Sequence, residues 1–510
     1  HGNLGTMPPS TTSSPASNNG ADGTTIGKNE ATPASLMRTA LSALATISAQ
    51  VEPLGSLFAD AGYELALVGG PVRDAFLGRT SNDLDFATNA TPEQTEKLLR
   101  GWSDAVWDVG RAFGTIGARR GDVIVEVTTY RTEEYDAESR KPTVAFGDTL
   151  EGDLSRRDFR VNAMAVRLPD LTFVDPFNGL SDLAEGVLRT PASPQQSFSD
   201  DPLRMMRAAR FSAQLRLDVD ADVMAAMEEL APRLAIVSAE RVQGELVKML
   251  MAPHPRRGLE LFVETGLAAV VLPEIPAMRL EIDEHHRHKD VYTHSLTVLD
   301  QAIDLETPPD GAVPGPDLIL RLAALLHDIG KPDTRRNEPG GRVSFHHHEL
   351  VGAKLARKRM QALAFDKATT SAVTELIALH LRFHGYGEGG WTDSAVRRYV
   401  TDAGPLLERL HRLTRADCTT RNRKKAERLS HAYDDLENRI AQLAEQESLA
   451  SLRPALDGSQ IMEILGLKPG PEVGQAYKFL MELRLEEGPL EPEDAQARLV
   501  AWWAERSQAD

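Results

Sequence analysis

The sequence predicts an α+β fold: a small mixed-sheet head near the N-terminus, followed by domains built wholly of helices. Strand-like runs with two-residue alternation are confined to the first third of the chain. They include Leu65, Leu67 and Val68, then Asp83-Leu84-Asp85-Phe86, then Val123, Val125 and Val127. From Leu188 onward the apolar residues recur every three or four positions instead. A length of 510 residues corresponds to about three domains, and a hydrophobic content of 41% suffices for sizeable cores.

Five segments are expected: a disordered stretch over 1–34, a head over 35–185, a helical neck over 186–275, a histidine-rich helical domain over 276–432 and a helical tail over 433–510. The first is rich in Ser, Thr, Pro, Asn, Gly and Ala and has too few large apolar residues to offset its ordering entropy. A formal net charge of −18 excludes non-specific polyanion binding by the whole surface, so nucleic-acid contact requires a local basic face. One cysteine, Cys418, excludes an intramolecular disulfide and fits a reducing compartment. No apolar run approaches the ~20 residues that span a membrane, and no secretory signal pattern stands at the N-terminus. A soluble, cytoplasmic protein is expected, with no membrane role and no protein partner identifiable.

Apolar residues from Leu36 to Leu57 recur at helical spacing. The stretch Leu67 to Thr88 then carries the first chemistry. Its apolar run ends at Gly69-Gly70, and Pro71 sits where a helix would begin, suiting its fixed φ and missing N–H. A glycine turn before a helix N-terminus presents free backbone N–H groups, a phosphate cradle to which Arg73 adds charge. In Asp83-Leu84-Asp85-Phe86 both carboxylates share one strand face while Leu84 and Phe86 point into a core. Two adjacent carboxylates repel unless a cation lies between them, and hard oxygen ligands favour Mg²⁺. Cradle and carboxylate pair together suggest phosphoryl or nucleotidyl transfer.

Thr91-Pro92-Glu93 starts a helix, and strands follow at Ala105 to Val109, Gly114 to Arg119 and Val123 to Thr129. Glu126 projects from the last of these, either as a third metal-site carboxylate or, the preferred reading, as a partner for Arg119 or Arg131. Arg157 and Asp158 read as an ion-paired surface cluster, or as an arginine on phosphate beside an acid on a ribose hydroxyl. Asp201, Arg204, Arg207 and Arg210, each three apart, make one polar helix stripe, with Met205, Ala208 and Phe211 on the other face.

In order, GG-x-VRD, DLD, RRDF-x-x-NAMA, DD-x-x-RMMRAARF and ER-x-x-x-E resemble the bacterial CCA-adding enzyme and poly(A) polymerase family, the class II polymerase-β-like nucleotidyltransferases. The likeness covers roughly Leu67 to Leu250. It departs from the family pattern at Arg160 and at Asp200-Asp201, where Glu-Asp is typical. The resemblance implies a nucleotidyltransferase head in which Asp83 and Asp85 are catalytic and hold two Mg²⁺ ions. It implies that Gly69, Gly70 and Arg73 hold the triphosphate with Arg157 in support, and that Asp158 meets the ribose. Asp201 and Arg204 would read the base, and Arg207 and Arg210 would assist. C and A each present an exocyclic amine donor beside a ring-nitrogen acceptor, which an Asp acceptor and an Arg donor can match. U and G reverse both positions.

Ten of the fourteen histidines fall between His285 and His384. His294, His327-Asp328, His348, His380 and Asp417 follow an order that resembles the HD superfamily of metal-dependent phosphohydrolases. His348 fits better than His346 or His347 because Glu349 and Gly352-Ala353 follow it. Such ligands suit Mn, Ni, Co, Fe or Zn. Whether the HD site is catalytic or a structural scaffold stays open, and His285, His286, His288 and His384 have no assigned role. Between His411 and Arg428 seven Lys or Arg face two acids, and Lys354, Arg357, Lys358 and Arg359 add to them; these are RNA-phosphate contacts or solvated helix faces. Trp502-Trp503 read as packing.

The implied function is addition or repair of the 3′-terminal CCA of tRNA from CTP and ATP. The RNA 3′-hydroxyl would attack the nucleotide α-phosphate and release pyrophosphate. The alternatives are a poly(A) polymerase or an A-only or CC-only enzyme, and, from another class, an HD phosphohydrolase with an RNA-binding head.

Overall fold

The computed structural model describes residues 31–110, 113–134, 143–147, 149–279, 290–388, 391–447 and 452–507. The stretch 1–30, expected to lack order, and His285, His286 and His288 lie outside the described residues. In chain order the first elements are α1 (Pro33–Asp60), β1 (Leu65–Val68), α2 (Gly70–Phe76), β2 (Asp83–Thr88), α3 (Pro92–Trp102), β3 (Ala105–Gly110), β4 (Thr115–Arg120) and β5 (Val123–Thr129). Next come β6 (Arg131–Glu134), β7 (Thr143–Phe146), α4 (Leu150–Ser155), β8 (Ala165–Leu168), β9 (Thr172–Val174) and α5 (Gly179–Glu185).

Two compact units form. The first joins the chain up to Thr129 with Met164–Gly186, and the second joins Tyr130–Ala163 with Val187 onward. The head expected to run unbroken over 35–185 is therefore interrupted. The reason is local: β6 and β7 pair only with each other. The segment after α4 bonds into the second unit, where Arg160 N–H and Nε donate to the carbonyls of Arg189 and Thr190.

The first unit is a seven-stranded mixed sheet in the order β3-β4-β5-β2-β1-β8-β9. Its neighbours are antiparallel except β2 and β5, which run parallel. Alternation along β2 buries Leu84 and Phe86 and exposes Asp83 and Asp85. Val125 and Val127 of β5 share the buried face. Fully burying such side chains contributes roughly 1.5–3 kcal/mol each, which fixes the strand register and with it the face on which the acids stand. Helix α1 covers this core with Ile47, Val51, Leu54 and Phe58. It starts at Pro33 under a Thr32 capping box with Ser35, two residues inside the stretch expected to lack order. Helix α3 starts at Pro92 under a second box, Thr91 with Gln94.

The second unit continues with α6 (Pro194–Asp200), α7 (Leu203–Leu215), α8 (Ala221–Leu230), α9 (Ala239–Leu250), α10 (Pro255–Glu264), α11 (Leu267–Val271) and α12 (Glu274–Ala277). Then come α13 (Val291–Asp304), α14 (Leu318–Leu326), α15 (Lys331–Thr334), α16 (His348–Ala362), α17 (Lys367–Leu379), α18 (Asp393–Ala403) and α19 (Leu407–Asp417). The last are α20 (Arg423–Glu447), α21 (Gly458–Leu465), α22 (Pro471–Glu487) and α23 (Pro492–Ser507). The tail boundary expected at 432/433 falls inside α20, whose Tyr433, Leu436 and Ile440 are buried, so the helix continues through it. A separate small core forms only after it, from Leu456, Ile461, Ala476, Leu480, Ala495 and Leu499. There Trp502 stacks on Phe479 with ring centroids 4.7 Å apart, a packing role. Among the described residues no helix is long and apolar enough to cross a membrane.

Candidate active site and metal centre

Gly69 precedes α2 with φ 72° and ψ −132°, a conformation that favours glycine, and its N–H donates to the carbonyl of Met164. Arg73 folds back along the helix start, with Nε and Nη2 donating to Oδ1 of Asp74 at 2.9 and 2.8 Å. Asp83 and Asp85 stand on the exposed face of β2, and the Asp83 N–H is held by Ser81 Oγ at 3.0 Å. Glu126 is in direct register with Asp85 across the parallel β2–β5 pair, so the three carboxylates share a face. That register sets Glu126 beside Asp85, the geometry expected of a third metal-site carboxylate.

The other predicted nucleotide residues lie in the second unit. Arg157 donates to Oδ2 of Asp153 at 3.2 Å, and Arg156 pairs with Oδ1 of the same carboxylate. Asp153 is buried. Burial alone would raise its pKa, but Arg157 and Arg156 hold it below its ordinary value. Sequence reasoning missed this anchor, although the i, i+3 and i, i+4 spacing from Asp153 to the two arginines was visible.

Asp158 is 7% exposed. Its Oδ1 accepts from the Phe159 N–H and from Asn162 Nδ2, and its Oδ2 accepts from Arg207 Nε at 2.7 Å. Burial opposes the charge, yet Arg207 and these hydrogen bonds hold the carboxyl down at about 2. Arg210, the last residue of the stripe, is buried against Glu245, at 2.6 Å, and Gln214. At the start of α7, Asp201 accepts from the Leu203 N–H through Oδ1 and from Arg241 through Oδ2 at 2.9 Å. Arg204 donates to Ser197 Oγ at 3.1 Å and to the Arg156 carbonyl at 2.7 Å. Arg241, part of the ER-x-x-x-E motif, and Ser197, not singled out from sequence, each hold one predicted base-reading side chain.

The histidines converge more tightly. His327, His348 and His380 each sit at a helix end, and each Nδ1 lies 2.6–2.8 Å from a backbone carbonyl three residues earlier, of Ala324, Phe345 and Ile377. That bond fixes the tautomer and turns Nε2 inward, where all three are buried without a hydrogen-bond partner. Asp328 spans the centre: Oδ1 lies 3.2 Å from His348 Nε2, and Oδ2 lies 3.2 Å from His327 Nε2 and 3.5 Å from His294 Nε2. Two sets of ligand atoms, His294 with His327 and Asp417, and Asp328 with His348 and His380, each lie within 4.8 Å of one another. His346, His347 and His384 are exposed. Burial pushes the His380 ring down to about 3, which leaves it neutral and able to donate its Nε2 lone pair. At His327 burial also disfavours charge, but Asp328 and Asp417 outweigh it and hold the ring up at about 10. The pocket favours a cation, and inward, unpartnered imidazole nitrogens beside carboxylates suit a divalent transition metal.

Of the basic faces, Arg412 pairs with Glu408, Arg415 with Asp434 and Glu437, and Arg359 with Glu274. Arg421, Lys424 and Arg428 remain exposed without an ion pair among the described residues.

Three family profiles match the chain: "Poly A polymerase head domain" over residues 65–189, "Probable RNA and SrmB-binding site of polymerase A" over 216–278, and "HD domain" over 291–445. An A-adding tRNA nucleotidyltransferase of Deinococcus radiodurans is 34% identical over 450 residues, 87% of this chain and 96% of that protein. A CCA-adding enzyme of Streptococcus gordonii is 40% identical over 225 residues, 44% of this chain, and the match spans 55% of that relative. The fold is that of the Bacillus stearothermophilus CCA-adding enzyme in complex with CTP, with TM-score 0.64 at 24% identity, covering 90% of this chain and 98% of the other.

Proposed function

The chain belongs to the tRNA nucleotidyltransferase and poly(A) polymerase family, and from that premise we propose that it adds or repairs the 3′-terminal CCA of tRNA using CTP and ATP. In the reaction the RNA 3′-oxygen forms a bond to the α-phosphorus, the α–β phosphoanhydride bond breaks, the hydroxyl proton is lost and pyrophosphate leaves. The observation that carries this reading is the carboxylate pair: β2 exposes Asp83 and Asp85 on one face because its partners Leu84 and Phe86 are locked in the core. These two acids, with Glu126 beside Asp85, suit Mg²⁺, which when bound supplies Lewis acidity at the attacking and leaving oxygens.

The chain's own groups bind and orient. Gly69, Gly70 and Arg73 receive the triphosphate, and Arg157, anchored on Asp153, adds charge. Asp158 meets the ribose while sharing its carboxylate with Arg207, and Arg210 braces the stripe through Glu245. Asp201 and Arg204 read the base edge. Arg204 keeps donors beyond those used on Ser197 and Arg156, since a guanidinium carries five. His294, His327 and Asp417, with Asp328, His348 and His380, would hold a divalent transition metal, Mn, Ni, Co, Fe or Zn, which when bound would supply Lewis acidity for phosphoester hydrolysis.

The deciding experiment offers the protein a tRNA lacking its 3′ end with each nucleoside triphosphate singly and together. Growth by three residues that then stops is expected; no extension refutes the reading, and an unbounded A ladder replaces it with poly(A) synthesis. A second reading, addition of A alone, is favoured by the likeness over 87% of this chain to the A-adding tRNA nucleotidyltransferase of Deinococcus radiodurans. It predicts one added residue on a tRNA ending in CC and none on a shorter one.

A further inference from the structure

The row of residues across the head sheet does not stop at the carboxylates. Register carries it from Asp85 on β2 to Glu126 on β5, then to Gly117 on β4 and Trp107 on β3. Residues paired in register share a face, so all four stand on the face of the acids. Gly117 has no side chain, and the Trp107 indole lies across it: a Cβ there would meet Trp107 Nε1 at 2.5 Å and Val109 Cγ2 at 2.8 Å. Although held flat in this way, Trp107 keeps 39% of its surface exposed and Val109 44%. Two residues beyond Gly117 on the same strand face is Arg119, exposed and without an ion pair among the described residues.

An exposed indole on a glycine seat beside an exposed guanidinium is the arrangement that single-stranded nucleic acid uses: a flat ring stacks a base, and a cation meets a phosphate. We propose that Trp107 and Arg119 dock the single-stranded 3′ end of the RNA to be extended. The choice of RNA as occupant rests on the nucleotidyl-transfer reading, because the platform is continuous with Asp83 and Asp85 on one sheet face. Strand β3 lies three strand spacings from β2, about 14 Å. The stacked base therefore belongs to a nucleotide upstream of the reacting hydroxyl.

The test compares wild type, Trp107→Ala, Trp107→Phe and Arg119→Ala on a tRNA lacking its 3′ end. It uses steady-state extension and, separately, fluorescence anisotropy of the labelled RNA without nucleotide. Loss of one stacked base is worth on the order of tenfold in RNA affinity. Trp107→Ala is thus expected to raise the KM for RNA and the RNA dissociation constant about tenfold, with no matching rise in the KM for nucleotide. Trp107→Phe should recover most of the loss, and Arg119→Ala should reduce the slope of log affinity against log salt by about 1. An RNA dissociation constant for folded Trp107→Ala within twofold of wild type overturns the proposal. If Trp107→Ala loses its fold by circular dichroism, the Arg119→Ala salt slope decides instead. A wild type that binds RNA but extends none refutes the transfer reading alone, and the anisotropy comparison still judges the platform.

Discussion

The pair Asp158–Arg207 offers the most quantitative check of the proposed nucleotide-binding stripe. Asp158 is nearly buried, and Arg207 reaches its Oδ2 through Nη2 at 2.6 Å and through Nε at 2.7 Å. Its carboxyl falls from an ordinary 3.8 to about 2 even though burial acts in the opposite direction. At 1.36 kcal/mol per unit, this shift corresponds to about 2 kcal/mol of stability carried by the ionised form. Because the folded pKa is depressed, that stability is fully present above pH ~3.8 and is lost as pH falls toward 2. At neutral pH, Asp158→Asn removes the charge but leaves the shape, and Arg207→Met removes the partner. Urea unfolding of both single variants and the double variant closes a cycle whose expected coupling is about 2 kcal/mol. A coupling below about 0.5 kcal/mol would mean that Asp158 and Arg207 are independent, and the account of a pre-set stripe would fail. The same variants should raise the KM for nucleotide more than the KM for RNA.

Three further outcomes are expected. Asp83→Asn and Asp85→Asn should each abolish extension, by about a thousandfold or more, with an unchanged circular dichroism spectrum; retained activity refutes the metal assignment. Combining His327→Ala with Asp328→Ala should lower transition-metal content, measured by elemental analysis after dialysis, and erase any metal-dependent phosphodiesterase activity while sparing extension. Unchanged metal content would show that the buried imidazoles are not ligands. Glu447 accepts from Arg397 at 2.8 Å and from Arg484 at 3.0 Å, joining α20 to α18 and α22. Glu447→Gln leaves two nearly buried guanidiniums short of a counter-charge and should destabilise this junction by about 3 kcal/mol. Limited proteolysis should then release the tail faster, and an unchanged cleavage rate would show that the triad does not hold it.

Much of the head was legible in the sequence because its signals are local. Two-residue alternation placed β3, β4 and β5 to within a residue or so, and Thr91-Pro92 marked the start of α3. The interruption of the head was not legible, because nothing local in Tyr130 to Ala163 tells which unit its hydrogen bonds will join. The tail boundary failed for a similar reason: one continuous helical pattern spans it, and only the position of the next small core shows where a new module begins. Among the site residues, spacing identified the acids and the stripe but not the groups that hold them. Arg241 lies forty residues from Asp201, and the carbonyl of Arg156 forty-eight from Arg204. No sequence period connects such pairs. The inward turn of His348 has a backbone cause as well. His347 takes a left-handed φ of 61° just before α16, which sends two neighbouring imidazoles outward and the third toward Asp328.

These distant braces bear on how a protein could select nucleotides without a template. A flexible Asp and Arg would reorient to meet either hydrogen-bond polarity, and selection between C or A and U or G would be weak. Here Asp201 is held by Arg241 and its own Asx turn, and Arg204 by Ser197 and a carbonyl. Fixing both side chains beforehand removes the ordering entropy from the binding step. It also forces a reversed base edge to leave an acceptor facing an acceptor and a donor facing a donor. Each buried group left unpaired costs about 1–3 kcal/mol, so two such mismatches amount to discrimination of about thirtyfold or more. On the proposed reading, selectivity therefore depends on the braces as much as on the readers. Arg241→Met should relax rejection of UTP and GTP while leaving Asp83, Asp85 and the chemistry of transfer in place.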